Sequence, residues 1–221
     1  MGRRLAERVA AELTLAPDEA VQERVRRLGQ RLVEVCDRQE LVYHFAAVSD
    51  REVNAFSLPG GYVFINDGLI AHTTSDDELA AVLAHEIGHI AARHAVKRFE
   101  TGLGAQALQL ASLAAGRQAG VTQGVGIGVQ VARLAYARQD ELDADRLAVG
   151  YLHAAGWDPK AVLRMLVRLH QLEQERPKVL PRSVVRIQYG MTHPFVADRI
   201  RAVKEKLFGT ADYVDYLNTA N

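Results

Sequence analysis

The stretch His85-Glu86-Ile87-Gly88-His89 constrains this chain most, because its chemistry exists only if the segment is helical. At about 3.6 residues per turn, side chains four apart stand one above the other, so the two imidazoles converge on one point. Glu86 is offset by about a hundred degrees, in reach of a water held at that point and so in the place of a general base. The flanks supply the helix. Ser75-Asp76-Asp77-Glu78 reads as a capping box, with two further carboxylates favoured by the helix dipole. Leu79, Val82, Leu83, Ile87 and Ile90 then form a broad apolar face, which predicts a mostly buried helix running to about Glu100. Gly88 inside it costs about 1 kcal/mol against alanine, which predicts a neighbour packed closely against it.

At 221 residues and 24.3 kDa the chain can bury a real core, and residues 1–221 are expected to form one domain. A hydrophobic share of 48% with 24% charged residues is that of a soluble globular protein. Lys+Arg 27 against Asp+Glu 27 leaves no basic surface to argue for nucleic acid and no acidic excess to argue for a cationic partner. The single Cys36 excludes an intramolecular disulfide and, in an apolar helical pattern, reads as a buried structural thiol. No apolar run is long enough for a membrane-spanning helix. Met1-Gly2-Arg3-Arg4 is basic, but Glu7, Arg8 and Glu12 interrupt any apolar run after it, so no signal peptide is read, and an export signal is expected to precede this numbering.

Along the chain, residues 17–39 read as an amphipathic packing helix with Val21, Val25, Leu28, Leu32 and Val35 inward and an acidic start at Pro17-Asp18-Glu19. Residues 41–65 hold two β-rich runs with Pro59-Gly60-Gly61 as a turn, predicting a small antiparallel sheet of about three strands, on which His44 pairs locally. The Gly/Ala-rich stretch 102–131 lacks the Gly-Lys-Ser/Thr of a phosphate loop and reads either as a lid over a cleft or as a plain surface helix and loop. Further helices are expected over about 139–155 and 161–175. Residues 176–186 then read as a basic, Pro-containing loop. Thr192-His193-Pro194 is expected at a helix start, with proline in the first turn and Val196, Ile200, Val203 and Leu207 inward. The segments group as 75–155 for the site helices and 157–208 for C-terminal helices.

Two histidines on a catalytic zinc call for a third protein ligand. A histidine six residues after His89 would complete one arrangement, but that residue is Ala95, and on a continuous helix His94 points off the ligand face, as a surface or core histidine. A glutamate from a second helix is the other solution, and Glu141 has suitable company: Asp145, one turn on, can accept the spare ring N–H of a ligand histidine. Asp140 and Asp143 read as a solvated acidic face.

HEIGH, then ELDADR, then THP with Arg199 resembles the zinc endopeptidase family that includes HtpX and the CAAX prenyl proteases, peptidase family M-forty-eight, from about Asn54 to Arg199. The resemblance implies an α+β, mainly α, gluzincin-like zincin: an HExxH helix, a second ligand helix and a small antiparallel sheet at the cleft edge. It implies one zinc ion on His85, His89 and Glu141, with Glu86 as base and Asp145 behind the ligands. Asn54-Ala55-Phe56 resembles the strand beside the cleft along which an extended substrate lies. His193, in the family's His-Pro position, is expected either to hydrogen-bond the reaction's oxyanion or to bind zinc at the fourth position. Arg199 is expected to pair with Asp145 or Glu141. HtpX and the prenyl proteases are integral membrane enzymes, and no spanning helix is read here, so the chain is more similar to the soluble bacterial members. Cleavage of unfolded or misassembled polypeptides in envelope quality control is therefore expected, in the periplasm or at the outer membrane, with peripheral or lipid-anchored association and the cytoplasm left open. The competing reading is a protein-binding or assembly module with a latched or silent zinc site.

Overall fold

The computed structural model describes residues 13–100, 136–175 and 192–209. Helix α1 is Glu19–Val33, capped by the Asp18 carboxylate, which accepts from the Ala20 and Val21 amides. It is shorter than the expected 17–39 because bonds from Val35 to Leu32 and from Cys36 to Val33 tighten the chain into turns, taking Cys36 into the core. Val25, Leu28 and Leu32 are buried as expected. Gln22, not among the residues expected inward, is buried as well; its amide donates to the Ala16 and Ala47 carbonyls and accepts from Ala47 N, stitching α1 to the sheet.

Strands β1 (His44–Val48), β2 (Ala55–Leu58) and β3 (Tyr62–Asn66) form one sheet in the order β1-β3-β2. Three strands were expected, but the sheet is mixed rather than wholly antiparallel: β1 runs parallel to β3, and β2 antiparallel to it. The tight turn at Gly60 (φ 104°) and Gly61 (φ 95°) makes β2 and β3 neighbours. Residues 49–54 carry β2 far enough from β1 for β3 to enter between them. One sheet face holds Val48, Phe56, Leu58 and Phe64; the other joins the main core. His44 is exposed and stacks on Tyr62, its ring 4.5 Å away.

After the short α2 (Asp67–Ile70), α3 (Asp76–Ala91) runs through the centre of the molecule. The Ser75 hydroxyl accepts from Glu78 N at 3.2 Å, half of the expected capping box. The Glu78 carboxylate reaches past Ser75 to accept from Thr74 N and its hydroxyl at 2.7 and 2.9 Å, and pairs with Arg168. The expected run to Glu100 is broken: α3 ends at Ala91, Arg93 turns left-handed with φ 60°, and α4 (His94–Glu100) leaves in a new direction. Helices α5 (Arg138–Ala154) and α6 (Lys160–Gln174) pack against α3, and α7 (Val196–Phe208) packs on α5 and α6. Gly88 is where α5 crosses: a Cβ there would lie 3.0 Å from the Ala144 carbonyl oxygen. Pro194 precedes α7 rather than lying in its first turn, because Phe195 takes the N-cap place in a left-handed conformation, φ 66°. Among the described residues no helix is long and apolar enough to cross a membrane. The stretch 102–131 and the loop 176–186 fall outside the described residues.

Candidate metal centre

The close crossing at Gly88 puts the start of α5 against the middle of α3, so Glu141 meets the two histidines. His85, His89, Glu141 and His193 are all buried, and each offers one donor atom, all within 4.8 Å of one another. His85 Nε2 lies 3.0 Å from His89 Nε2, 3.3 Å from His193 Nδ1 and 3.5 Å from Glu141 Oε2. Glu141 Oε1 lies 3.5 Å from His89 Nε2 and 3.1 Å from His193 Nδ1. Donor atoms bound at about 2.1 Å around one tetrahedral ion stand about 3.4 Å apart, so this set fits a metal ion. Glu86 is fully buried beside it. Neither of its carboxylate oxygens has a hydrogen bond among the described residues, and His193 Nε2 lies 3.4 Å from Oε1. A buried carboxylate left without hydrogen bonds is costly, which points to a chemical rather than a structural use.

Behind the cluster, Asp145 Oδ1 is 2.8 Å from His85 Nδ1, and Arg199 grips Asp145 through Nε and Nη2 at 2.7 and 2.8 Å. Arg199 Nη1 also lies 2.7 Å from Glu141 Oε2, so it meets both of its expected partners. Burial works against the charges on Glu141 and Asp145. Arg199 outweighs it, with His193 for Glu141 and His85 for Asp145, and holds Glu141 well below and Asp145 below the usual carboxylate range. Burial and Arg199 oppose a charge on His85, but Asp145 and Glu141 outweigh them and raise its pKa to about 9. Burial and the neighbouring His85 push His89 well below the ordinary value.

Three placements differ from expectation. His94 is buried and close to the site, its Nδ1 2.9 Å from His89 Nδ1, because the turn at Arg93 swings it back; on a continuous helix it would point away. Asp140 is only partly solvated, its Oδ1 3.5 Å from His94 Nε2. Asn54 and Phe56 are engaged within the protein: Asn54 Oδ1 accepts from the Thr192 hydroxyl at 3.2 Å, and the Phe56 ring stacks on Phe64. Ala55 does border the site, its carbonyl 3.4 Å from His193 Nε2. Sequence reasoning missed Tyr136, whose ring stacks on His89 at 3.8 Å while the Arg98 guanidinium covers it at 4.0 Å. An isolated aromatic just ahead of a helix carries no signal that could have revealed it.

An HExxH helix crossed by a second helix that brings a glutamate to both histidines defines a zincin-type site. The chain belongs to Peptidase family M48, whose model matches residues 19–207. It is similar to the beta-barrel assembly-enhancing protease of Yersinia pestis, 31% identical over 233 residues that cover 98% of this chain and 46% of that protein. The same-named protein of Escherichia coli is 28% identical over 217 residues, 93% of this chain and 43% of that protein. The mitochondrial metalloendopeptidase OMA1 of Schizosaccharomyces pombe is 28% identical over 183 residues, 83% and 52% respectively. The chain thus spans about half or less of the length of these relatives.

Proposed function

We propose that this chain is a zinc metalloendopeptidase domain, one unit over residues 1–221, that cleaves extended or misfolded protein segments in bacterial envelope quality control. The observation that carries the reading is the buried four-donor cluster with the Glu86 carboxylate beside it. The names of the relatives support the substrate class and the compartment. A silent structural site is less well supported, since it has no need of a buried base.

In this reading His85, His89 and Glu141 hold the zinc, which when bound supplies a Lewis acid that polarises the scissile carbonyl and acidifies water. Glu86 takes the proton of the attacking water and passes it to the leaving amine. Asp145 accepts from His85 Nδ1–H, keeping Nε2 for the metal, and Arg199 neutralises the carboxylates behind it. Thr192-His193 lies along the start of β2, an edge strand, through the contacts to Asn54 and Ala55. His193 Nδ1 at the same time faces the donor cluster. One short segment thereby covers both the fourth position and the edge along which an extended substrate adds as a strand. This favours His193 as a displaceable fourth ligand over His193 as a fixed oxyanion donor. His193→Ala raises activity in the first case, lowers it steeply in the second, and sinks both if it changes nothing.

The central test is Glu86→Gln, measured as bound zinc and casein cleavage. Zinc is retained and cleavage falls by about 10²-fold or more. Cleavage at the wild-type rate removes Glu86 as the base.

A further inference from the structure

The Nε2 atoms of His85 and His89 face the donor cluster, and for His85 the outer nitrogen has its holder in Asp145. Among the described residues no carboxylate stands behind His89. Its Nδ1 meets His94 Nδ1 at 2.9 Å, and the far nitrogen of His94 points towards Asp140, with Nε2 to Oδ1 at 3.5 Å. Two ring nitrogens at that distance share one proton. With His89 Nε2 turned into the donor cluster, 3.0 Å from His85 Nε2, a metal held there would take that nitrogen and leave the proton on Nδ1, donated to His94. His94 then accepts at Nδ1 and carries its own proton on Nε2, facing the Asp140 carboxylate. The backbone is bent to make this contact. Residues five apart on a continuous helix diverge by about 140°, whereas Arg93 at φ 60° ends α3 and brings His94, 1% exposed, behind His89. A left-handed conformation is disfavoured for arginine, so the turn persists against a local preference.

We infer that His94 is a positioning residue of the metal site: with Asp140 behind it, it fixes the tautomer and ring orientation of His89, as Asp145 does for His85. This rests on the metal reading of the cluster, and the experiment separates the two. Zinc affinity of the full chain is measured by chelator competition for wild type, His94→Leu and His94→Gln, and the visible spectrum of the cobalt-substituted proteins is recorded alongside. His94→Leu, which leaves the His89 N–H without an acceptor, lowers zinc affinity by about 10–100-fold and alters the cobalt spectrum. His94→Gln, which offers a carbonyl oxygen in the same place, recovers most of the affinity. Wild-type affinity and spectrum in His94→Leu overturn the role of His94, while absence of zinc from the wild type overturns the metal reading instead. If His94→Leu does not fold, ¹⁵N NMR of the zinc-loaded wild type decides: His89 protonated on Nδ1 with His94 on Nε2 supports the inference, and His94 protonated on Nδ1 overturns it.

Discussion

His85 and His89 stand one turn apart on the same helix, equally buried, yet what lies behind them differs in kind. Behind His85 is an ionic assembly from two other helices, Asp145 on α5 gripped by Arg199 on α7. Behind His89 are an imidazole, His94 on the next turn of chain, and the stacked ring of Tyr136. Their proton affinities diverge accordingly. The carboxylates lift His85 to about 9, overcoming burial and Arg199, while burial and a charged neighbour drive His89 well down. A motif therefore sets where two imidazoles point, and the neighbours set how tightly each holds its proton.

The ionic half behind His85 depends most on Arg199. Arg199→Ala leaves Asp145 and Glu141 buried without their cation, and urea denaturation is expected to show a loss of about 3–5 kcal/mol. An unchanged midpoint would mean that the ionic half is not what holds His85.

The next largest effect is on the pH dependence of metal binding. A folded-state pKa of about 9 for His85, above its ordinary 6.5, means that the charged form stabilises the apo-protein below pH 6.5. That contribution is lost as pH rises through about 9. A metal must displace this proton, so zinc affinity rises with pH across that window, by about tenfold per unit, and levels off above it. In Asp145→Asn the rise is flatter and levels off earlier; an identical profile would remove Asp145 as the source of the shift.

The smallest effect is at the bend that delivers His94. Arg93→Gly relieves the left-handed strain but adds chain entropy to the unfolded state, a net gain of about 0.5–1 kcal/mol in thermal or urea melts with zinc affinity unchanged. A destabilised variant would show that the Arg93 side chain itself holds the turn.

Much of this was legible in particular residues. The Ser75 cap, the apolar face from Leu79 to Ile90 and the close approach at Gly88 all follow from short-range rules, and α3 obeys them. Glu141 and Asp145, four apart, do share a helix face, and that face meets the histidines. The parallel pairing of β1 with β3 was not legible, because a strand's composition does not say which neighbour enters beside it. Nor was the break at Arg93: arginine is a good helix former, and nothing in Ala91-Ala92-Arg93-His94 is a breaker.

What the sequence by itself determined is the local chemistry: a helix, two imidazoles on one face of it, a carboxylate beside them, and a glutamate and an aspartate one turn apart elsewhere. Those follow from helical periodicity and capping, which act over a few residues. Tertiary structure alone decided that His94 stands behind His89, and that the Thr192-His193 segment lies across β2 and the donor cluster at once. The physical reason is range. The outer nitrogen of a buried imidazole must find a partner within about 3 Å, and which group supplies it depends on where the chain bends after α3 and on how helices far apart in the chain come to rest against one another.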